Sequence, residues 1–316
     1  MLKTLERIKS LNIAVIGDIM LDRYIIGKVE RISPEAPVPV LFVQEEYHVL
    51  GGAGNVAANL SKLEVDNVHL FCRIADDQFG ELIKRELNEL HNKYRNAEAT
   101  YFGHDQTTVK TRVMADNHQI VRFDREKLES IPNATADSIV HRIELNLDSF
   151  DAILISDYGK GMITWYLLEE LEKAIRGKIP ICIDPSPKTF YPTMRETIFL
   201  PNTKERREIH KLEGTKLENK FKAVVETDGA NGIYVYYGAN QVPTHIKAIE
   251  VSDVVDTVGA GDTVTAVFTA AIATSATIYE AATLANIAAS VVVRHAKTYA
   301  VSYDEIFNVI EPYCNP

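Results

Sequence analysis

The stretch DTVGAGDTV at residues 256–264 combines residue types that phosphoryl transfer requires. Gly259, Ala260 and Gly261 carry too little side chain to block the backbone, and the apolar run that follows predicts a buried helix beginning at about Asp262. Free N–H groups at a helix N-terminus attract anions, and an aspartate beside them can take the proton of a hydroxyl nucleophile. An equally good interpretation of this motif alone is that Asp262 is an N-cap and the glycines permit tight packing.

A second glycine motif, LGGAGNVAANLSKL, supplies residues suited to binding a polyol. Gly51 and Gly52 allow a ligand to approach the backbone closely, and the amide of Asn55 can hydrogen-bond hydroxyl groups. Asp18 and Asp22, in the stretch GDIMLDRY, add carboxylates near the end of an apolar run. Together these residues predict a site for sugar hydroxyls, although glycines that merely permit close helix packing are a common alternative.

The elements that must position these residues are short, unbroken runs rich in Val and Ile. Such runs are typical of strands buried on both faces of a mainly parallel sheet, and helix-like segments separate them. Polar residues end or follow several runs, namely Asp18, Asp157, Asp184, Asn202 and Thr227. Because open α/β sheets bind ligands outside the carboxyl ends of their strands, these side chains are predicted to converge on one crevice. Any single one of them could instead cap the next helix.

Two segments, about 19–50 and 100–124, break this alternation of strand and helix. Both show period-2 character without helical periodicity, and VKTRVMADNHQIVRF is typical of a hairpin centred on residues 115–118. We therefore predict one doubly wound α/β domain over residues 1–316, with helices on both faces of a mainly parallel sheet. The two segments are predicted to form a small antiparallel sheet that covers the crevice as a lid or packs against a second subunit.

Composition restricts the class of ligand. The chain has 34 basic and 44 acidic residues and a net charge of -10, which argues against binding to nucleic acid or to an anionic membrane. An anionic substrate must then be held by a local cluster of cations. Cys72, Cys182 and Cys314 are too widely spaced to suggest a disulfide framework or a zinc site. Because the N-terminus lacks a signal-peptide pattern and no run reaches about 20 apolar residues, we expect a soluble, cytoplasmic protein.

The pairing of GGAGN with DTVGAGD resembles the two signatures of the ribokinase-like, PfkB family of sugar kinases, and the similarity runs from about residue 12 to residue 302. Two more specific stretches, RISPEAPVPV and ISDYGKG, are similar to those of the family's heptose kinases. The resemblance implies an ATP-dependent kinase that phosphorylates D-glycero-β-D-manno-heptose 7-phosphate at O1, on the route to ADP-heptose and the lipopolysaccharide core. Two alternatives stay open: a kinase for another sugar or sugar phosphate, and a catalytically silent regulator that binds a sugar or nucleotide.

The resemblance also implies roles for individual residues. Asp262 matches the family's catalytic base, and residues 259–261 match its anion hole. The nucleotide-binding positions are Asn202, Glu205, Thr227, Gly229, Gly232 and Asn286. The substrate-binding positions include Asp18, Asp22, Arg23, Gly51, Gly52, Asn55, Asp157 and Asp184. Glu205 would hold Mg²⁺ through water, and Asp256 is a candidate ligand for a monovalent cation such as K⁺.

Four cations, Lys110, Arg112, Arg122 and Lys160, are candidates for binding the substrate's own phosphate. Ammonium and guanidinium groups form charge-assisted hydrogen bonds with phosphate oxygens, and an acidic protein needs such a local cluster. The alternative for each of the four is a salt bridge on the surface or within the lid. The apolar strands of the small sheet and the family resemblance both predict a homodimer formed through that sheet.

The chain also departs from the family's usual sequence. Val258 stands where Thr is common, which removes a side-chain contact but leaves backbone contacts intact. Arg294, His295, Ala296 and Lys297 replace a glycine-containing run that borders the nucleotide, so nucleotide affinity and dependence on K⁺ are open. The length of 316 residues leaves no room for the nucleotidyltransferase domain fused to many heptose kinases. We therefore expect either a stand-alone kinase or a fragment of such a fused protein.

Overall fold

The computed structural model describes residues 1–314 with the exception of Arg95, Asn117, Ala239, Asn240 and Ala296. Asn117 of the predicted hairpin and Ala296 of the C-terminal run therefore lie outside the described residues. The strands are β1 (Asn12–Gly17), β2 (Ile19–Ile32), β3 (Pro39–Gly52), β4 (Asn67–Ala75), β5 (Ala97–His104), β6 (Val109–Ala115), β7 (His118–Arg125), β8 (Ala152–Ser156), β9 (Ile181–Asp184), β10 (Met194–Phe199), β11 (Phe221–Thr227), β12 (Ile233–Tyr236) and β13 (Thr244–Ile246). The α-helices are α1 (Leu2–Ile8), α2 (Ala53–Lys62), α3 (Gln78–Tyr94), α4 (Asn133–Leu145), α5 (Trp165–Ile175), α6 (Thr203–Glu213), α7 (Ala260–Ala273), α8 (Ile278–Val292) and α9 (Tyr303–Cys314).

The large sheet has the strand order β13-β12-β11-β10-β9-β8-β1-β4-β5. Its pairs from β11 through to β5 are parallel, whereas β12 and β13 join antiparallel at one edge. The strand order reverses at β1, which pairs with β4 on one side and β8 on the other. The carboxyl ends of β1 and β8 therefore flank a topological switch point, where open α/β sheets place their ligands. The predicted α/β fold is confirmed.

Helices cover both faces of this sheet because alternate strand residues face opposite sides. Ile13 and Val15 of β1 belong to the apolar core that α2, α7 and α8 complete. Ala14 and Ile16 belong to a second core that includes α4 and α5. With both faces buried, every side chain of β1 is apolar after Asn12, and this explains its unbroken apolar sequence.

The small sheet has the order β3-β2-β6-β7, and it contains the hairpin predicted around residues 115–118. Its outer pairs are antiparallel as predicted, but the central pair, β2 with β6, is parallel. The parallel pairing follows from the long connection through the large domain that returns the chain in the same direction. The second predicted segment also began too early, because β5 pairs with β4 in the large sheet and the small sheet resumes only at Val109.

Within the described part of the chain, no helix has both the length and the apolar character needed to span a bilayer.

Candidate active site

The glycine turn of DTVGAGDTV lies at the N-terminus of α7. This helix begins at Ala260 rather than at Asp262, because Gly259 adopts a left-handed conformation (φ 80°) and is itself the N-cap. Asp262 is thus in the first turn and is 5% exposed. The Ala260 N–H already donates to the Thr257 carbonyl (3.2 Å), whereas no described residue accepts from the N–H of Gly259, Gly261 or Asp262. Of the three predicted anion-hole residues, Ala260 is therefore engaged elsewhere.

Two donors hold the carboxylate of Asp262 from opposite sides. The amide Nδ2 of Asn55 donates to Oδ2 (2.7 Å), and the hydroxyl of Tyr158 donates to Oδ1 (2.6 Å). Burial raises the pKa of Asp262 to about 6, although both hydrogen bonds and the charge of Lys110 oppose that rise. A pKa near 6 leaves the group ionised at neutral pH and able to accept a proton.

Asn55, a predicted sugar ligand, orients Asp262 through its amide nitrogen, and its contact with a sugar stays a prediction. Tyr158 was not singled out from the sequence, although it lies inside the ISDYGKG stretch that begins at the end of β8. A tyrosine after a buried strand has no spacing signature of its own. Only the fold brings it beside a residue 104 positions away.

Asp18 and Asp157 fix the loop that carries Tyr158. The carboxylate of Asp18 accepts from the backbone N–H groups of Tyr158, Lys160 and Met162, each at 3.0 Å. Asp157 accepts from the Gly159 N–H (2.7 Å) and the Tyr191 hydroxyl (2.5 Å), while burial, with the nearby charge of Asp18, raises its pKa to about 7. Both aspartates thus help to position the loop, and their contacts with substrate stay a prediction.

Gly51 and Gly52 lie where the chain packs too closely for a side chain, as the alternative interpretation of this glycine motif expects. A Cβ on Gly51 would lie 2.5 Å from Oδ2 of Asp22, and one on Gly52 (φ 57°) would lie 2.4 Å from the Asp18 carbonyl oxygen. These glycines allow β3 to approach β1 and β2 closely enough to bring Asp22 to the crevice. Asp22 is 6% exposed and pairs with Arg112 at 2.5 Å.

The four predicted phosphate-binding cations lie near one another. The charges of Lys160, Arg122 and Arg112 all act on Lys110, whose pKa is lowered mainly by burial and is held up by the charge of Asp22. Arg112, Arg122 and Lys160 pair with Asp22, Asp124 and Glu126 respectively. For Lys110 no ion pair exists among the described residues, and its ammonium lies 5.1 Å from the centre of the Tyr158 ring. Lys110 is the cation best placed to take a phosphate.

Arg23, a predicted substrate-binding residue, lies away from the crevice. It follows Asp22 on β2, so its side chain points to the opposite face of the small sheet. There it pairs with Glu46 at 2.5 Å. The structure does not bring Arg23 to the crevice.

Two adjoining cavities open beside the glycine turn. One of about 260 Å³ is lined by Asp184, Asn202, Glu205, Thr227 and Gly261. The other, of about 470 Å³ and largely apolar, is lined by Thr227, Gly229, Gly232, Gly261 and Asn286. The shared residues Thr227 and Gly261 make the two spaces contiguous. A long ligand could therefore extend from the apolar cavity to the turn before Asp262, and every predicted nucleotide-binding residue lines one of the two.

The smaller cavity contains donors suited to Mg²⁺. Burial raises the pKa of Asp184 well above its usual range, and the charges of Glu205 and Asp262 raise it further. Glu205 is the N3 residue of a capping box with Asn202, in which Oε2 accepts from the Asn202 N–H (2.9 Å). Partly buried carboxylates that repel one another fit a divalent cation, and Mg²⁺ is usually bound by one or two carboxylates, waters and substrate phosphates. The residues present therefore fit Mg²⁺.

Asp256 connects two loops beside the larger cavity. Its oxygens accept from the backbone N–H groups of Val258 and Lys297, both at 3.0 Å. These bonds tie the segment before the glycine turn to the C-terminal run. The assignment of a monovalent cation to Asp256 stays a prediction.

Fold and site together place an Asp carboxylate with a pKa of about 6, a helix N-terminus with open N–H groups and a ligand cleft at the switch point of an α/β sheet, an arrangement suited to a phosphotransferase. Comparison with known proteins agrees: residues 10–305 match the family described as pfkB family carbohydrate kinase. The chain belongs to that family and is a phosphotransferase that acts on a sugar. Kinases of this family use ATP.

Solved ribokinases share the fold. The ribokinase of Thermotoga maritima superposes with a TM-score of 0.73 at 18% identity, over 95% of this chain and 99% of that one. The Arabidopsis thaliana ribokinase complexed with ribose and ATP gives 0.70 at 17% identity, over 96% and 99%.

Curated relatives include several named bifunctional protein HldE. The one from Campylobacter concisus (strain 13826) is 38% identical over 311 residues, 94% of this chain and 64% of the relative. The one from Citrifermentans bemidjiense is 36% identical over 318 residues, 95% of this chain and 63% of the relative. The chain thus spans less than two thirds of the length of these relatives.

Replacing Tyr158 with Phe should move the acid limb of the kcat/KM profile to higher pH. The hydroxyl stabilises the ionised form of Asp262, so its loss raises the pKa of that carboxyl above about 6, by on the order of one unit. Tyr166→Phe is the matched control, because the Tyr166 hydroxyl donates to the exposed Asp137 (2.8 Å) outside the site. An acid limb that stays in place in Tyr158→Phe would contradict the role of Tyr158.

Replacing Gly261 with Ala should lower kcat/KM for ATP without loss of stability. A Cβ at Gly261 meets no atom within 4 Å, but it enters the space shared by the two cavities. Since alanine favours helix by up to about 1 kcal/mol over glycine, Tm should be equal or higher. Gly103→Ala, whose Cβ also meets nothing within 4 Å, is the control. Wild-type kinetics in Gly261→Ala would show that no ligand approaches this turn.

Proposed function

We propose that this chain transfers the γ-phosphate of ATP to O1 of D-glycero-β-D-manno-heptose 7-phosphate and produces the 1,7-bisphosphate. The observation that carries the proposal is Lys110, a half-buried ammonium without an ion pair in the described structure, with three further cations close by. The similarity of RISPEAPVPV and ISDYGKG to the heptose kinases selects the sugar.

A phosphate on the substrate would complete this cluster electrostatically. Arg112, Arg122 and Lys160 each have a carboxylate partner, so their charges are largely balanced. Lys110 forms no ion pair in the described structure and is attracted by the more distant charges of Asp22 and Asp262, and partial burial makes its ammonium costly without an anion. A bound phosphate supplies that anion and several acceptors for charge-assisted hydrogen bonds.

The reacting hydroxyl must then lie at Asp262. The Asp22 and Lys110 charges both act on the Asp262 carboxyl, so the cluster and the base face the same space. Asp262 takes the proton of O1 while the open N–H groups of Gly259, Gly261 and Asp262 stabilise the transferring phosphoryl group. Mg²⁺, held at Glu205 through water with Asp184, would neutralise charge on the phosphates. The small sheet excludes water, which would compete as nucleophile.

ATP occupies the larger cavity in this proposal, with its base in the apolar part near Asn286 and its phosphates directed to the glycine turn. Asn286 is held in place by donating to the Lys247 carbonyl (2.7 Å). Gly232 (φ 97°) is required there, because a Cβ would lie 2.1 Å from the Ile246 carbonyl oxygen. The cavity wall therefore depends on this glycine.

A substrate panel that measures ADP release tests the proposal. Heptose 7-phosphate should be turned over, whereas the unphosphorylated heptose should give a much lower kcat/KM because it cannot engage Lys110. Turnover of fructose 1-phosphate or fructose 6-phosphate, without turnover of heptose 7-phosphate, would reject the heptose and favour another sugar phosphate.

We infer that a second copy of the chain covers the small sheet. Exposed large apolar side chains are concentrated there and in its first loop: Ile32, Val38, Phe42, Val43, Ile120, Val121 and Phe123. Apolar patches of this kind mark association surfaces. Light scattering at micromolar concentration should give a dimer that Phe42→Asp weakens. A wild-type monomer would contradict the inference.

A further inference from the structure

Four side chains form a continuous stack across the inner end of the small sheet. The Lys297 ammonium lies 3.9 Å from the centre of the Tyr47 ring. The rings of Tyr47 and Tyr24 are stacked, with centroids 4.9 Å apart and planes at 8°. The Arg112 guanidinium lies 5.4 Å from the centre of the Tyr24 ring. A cation thus lies at each end of an aromatic pair, and each contact is of the cation–π or stacking type.

Strand pairing brings the middle of the stack together. Tyr24 on β2 is directly opposite Tyr47 on β3 and Arg112 on β6, so the three side chains share one face of the small sheet. Asp22, two residues before Tyr24, lies on the same face and pairs with Arg112 at 2.5 Å. The Arg112 end of the stack is therefore inside the proposed phosphate site.

The other end belongs to the run that departs from the family pattern. Lys297 has a left-handed backbone (φ 72°), which is strained for a residue with a Cβ and is readily adopted only by glycine. Its N–H donates to Asp256 (3.0 Å), whose other oxygen accepts from Val258 beside the glycine turn. The backbone is therefore strained at Lys297, the residue whose side chain reaches the small sheet.

A buried, unpaired hydroxyl argues against a purely stabilising role. The hydroxyl of Tyr47 is buried with no hydrogen-bond partner in the described structure, whereas the Tyr24 hydroxyl interacts with Thr298. Phenylalanine in place of Tyr47 would stack equally well without burying an unpaired hydroxyl. Strain and unpaired polar groups persist in proteins mainly where function requires them.

We propose that Lys297 is a positioning residue that acts through Tyr47 and Tyr24 on Arg112 and sets this guanidinium for the substrate's own phosphate. The inference rests on the proposed function, since it requires a phosphorylated sugar. Lys297 thereby links the loop beside the nucleotide cavity to recognition of the far end of the substrate.

The test compares KM for heptose 7-phosphate and for the unphosphorylated heptose in Lys297→Met, Arg112→Met and the double variant. Lys297→Met should raise KM for the phosphorylated sugar by about threefold to tenfold and leave KM for the unphosphorylated sugar unchanged. The double variant should be no worse than Arg112→Met alone, because Lys297 acts only through Arg112. Lys297→Arg should restore the wild-type KM.

Lys9→Met is the matched control, since the Lys9 ammonium lies 3.5 Å from the centre of the Tyr303 ring, outside the site. Three outcomes would overturn this inference and leave the proposed function standing. They are an unchanged KM in Lys297→Met, an equal rise in KM for both sugars, and effects on KM that multiply in the double variant. An Arg112→Met variant with wild-type KM for heptose 7-phosphate would also overturn the inference, whereas the phosphate site itself is tested separately by Lys110→Met.

Discussion

Asp262→Asn should lower kcat by about 100-fold to 10,000-fold, the usual contribution of a general base. The amide cannot accept the proton of the sugar hydroxyl, while its size leaves the packing around α7 unchanged. Sugar affinity should change little, because Asp22 and Lys110 remain in place. Initial-rate kinetics give kcat, and equilibrium titration with heptose 7-phosphate gives the affinity.

Two controls separate the chemistry from folding. Asp66→Asn changes an exposed aspartate and should retain wild-type kcat. The Tm of Asp262→Asn should be equal to or above that of the wild type at pH 8, where the buried carboxylate is charged, since the pKa of about 6 shows that burial disfavours the charged form. A kcat within tenfold of wild type would remove Asp262 as the base.

Lys110→Met should raise KM for heptose 7-phosphate by about 30-fold to 1,000-fold, which corresponds to loss of about 2 to 4 kcal/mol from a desolvated, charge-assisted contact. KM for the unphosphorylated heptose should change far less. The acid limb of the pH profile should also move upward, because the charge of Lys110 lowers the pKa of Asp262.

Lys127→Met is the control for Lys110→Met. Lys127 is an exposed lysine that pairs with Glu129 at 2.9 Å, and its replacement should leave both KM values unchanged. Equal increases in KM for the two sugars in Lys110→Met would show that Lys110 binds something other than the substrate's phosphate.

The sheet could be predicted because its strands are buried on both faces. Unbroken apolar runs such as AILIS then have few alternatives, and β8 follows the predicted run closely. The half-buried segment at residues 100–104 was assigned to the small sheet because period-2 alternation is also typical of an edge strand. Which sheet a half-buried strand joins depends on long-range pairing, and local sequence does not encode it.

The residue types that form the site could be predicted from the sequence, but the role of each individual residue could not. Asp18, Asp22 and Asp157 have the same chemistry, and each was expected at the substrate. In the structure Asp18 and Asp157 hold the loop of Tyr158, whereas Asp22 faces the crevice with Arg112. The difference arises from which N–H groups each carboxylate meets, and this is fixed only when distant segments pack together.

The most direct test of the central claim is ³¹P NMR of the product formed from ATP and heptose 7-phosphate. The proposed function predicts a product with two phosphomonoester signals, one of them coupled to the anomeric proton, and no such product with Asp262→Asn. A single unchanged heptose 7-phosphate signal, or a new phosphate on a hydroxyl other than O1, would contradict it.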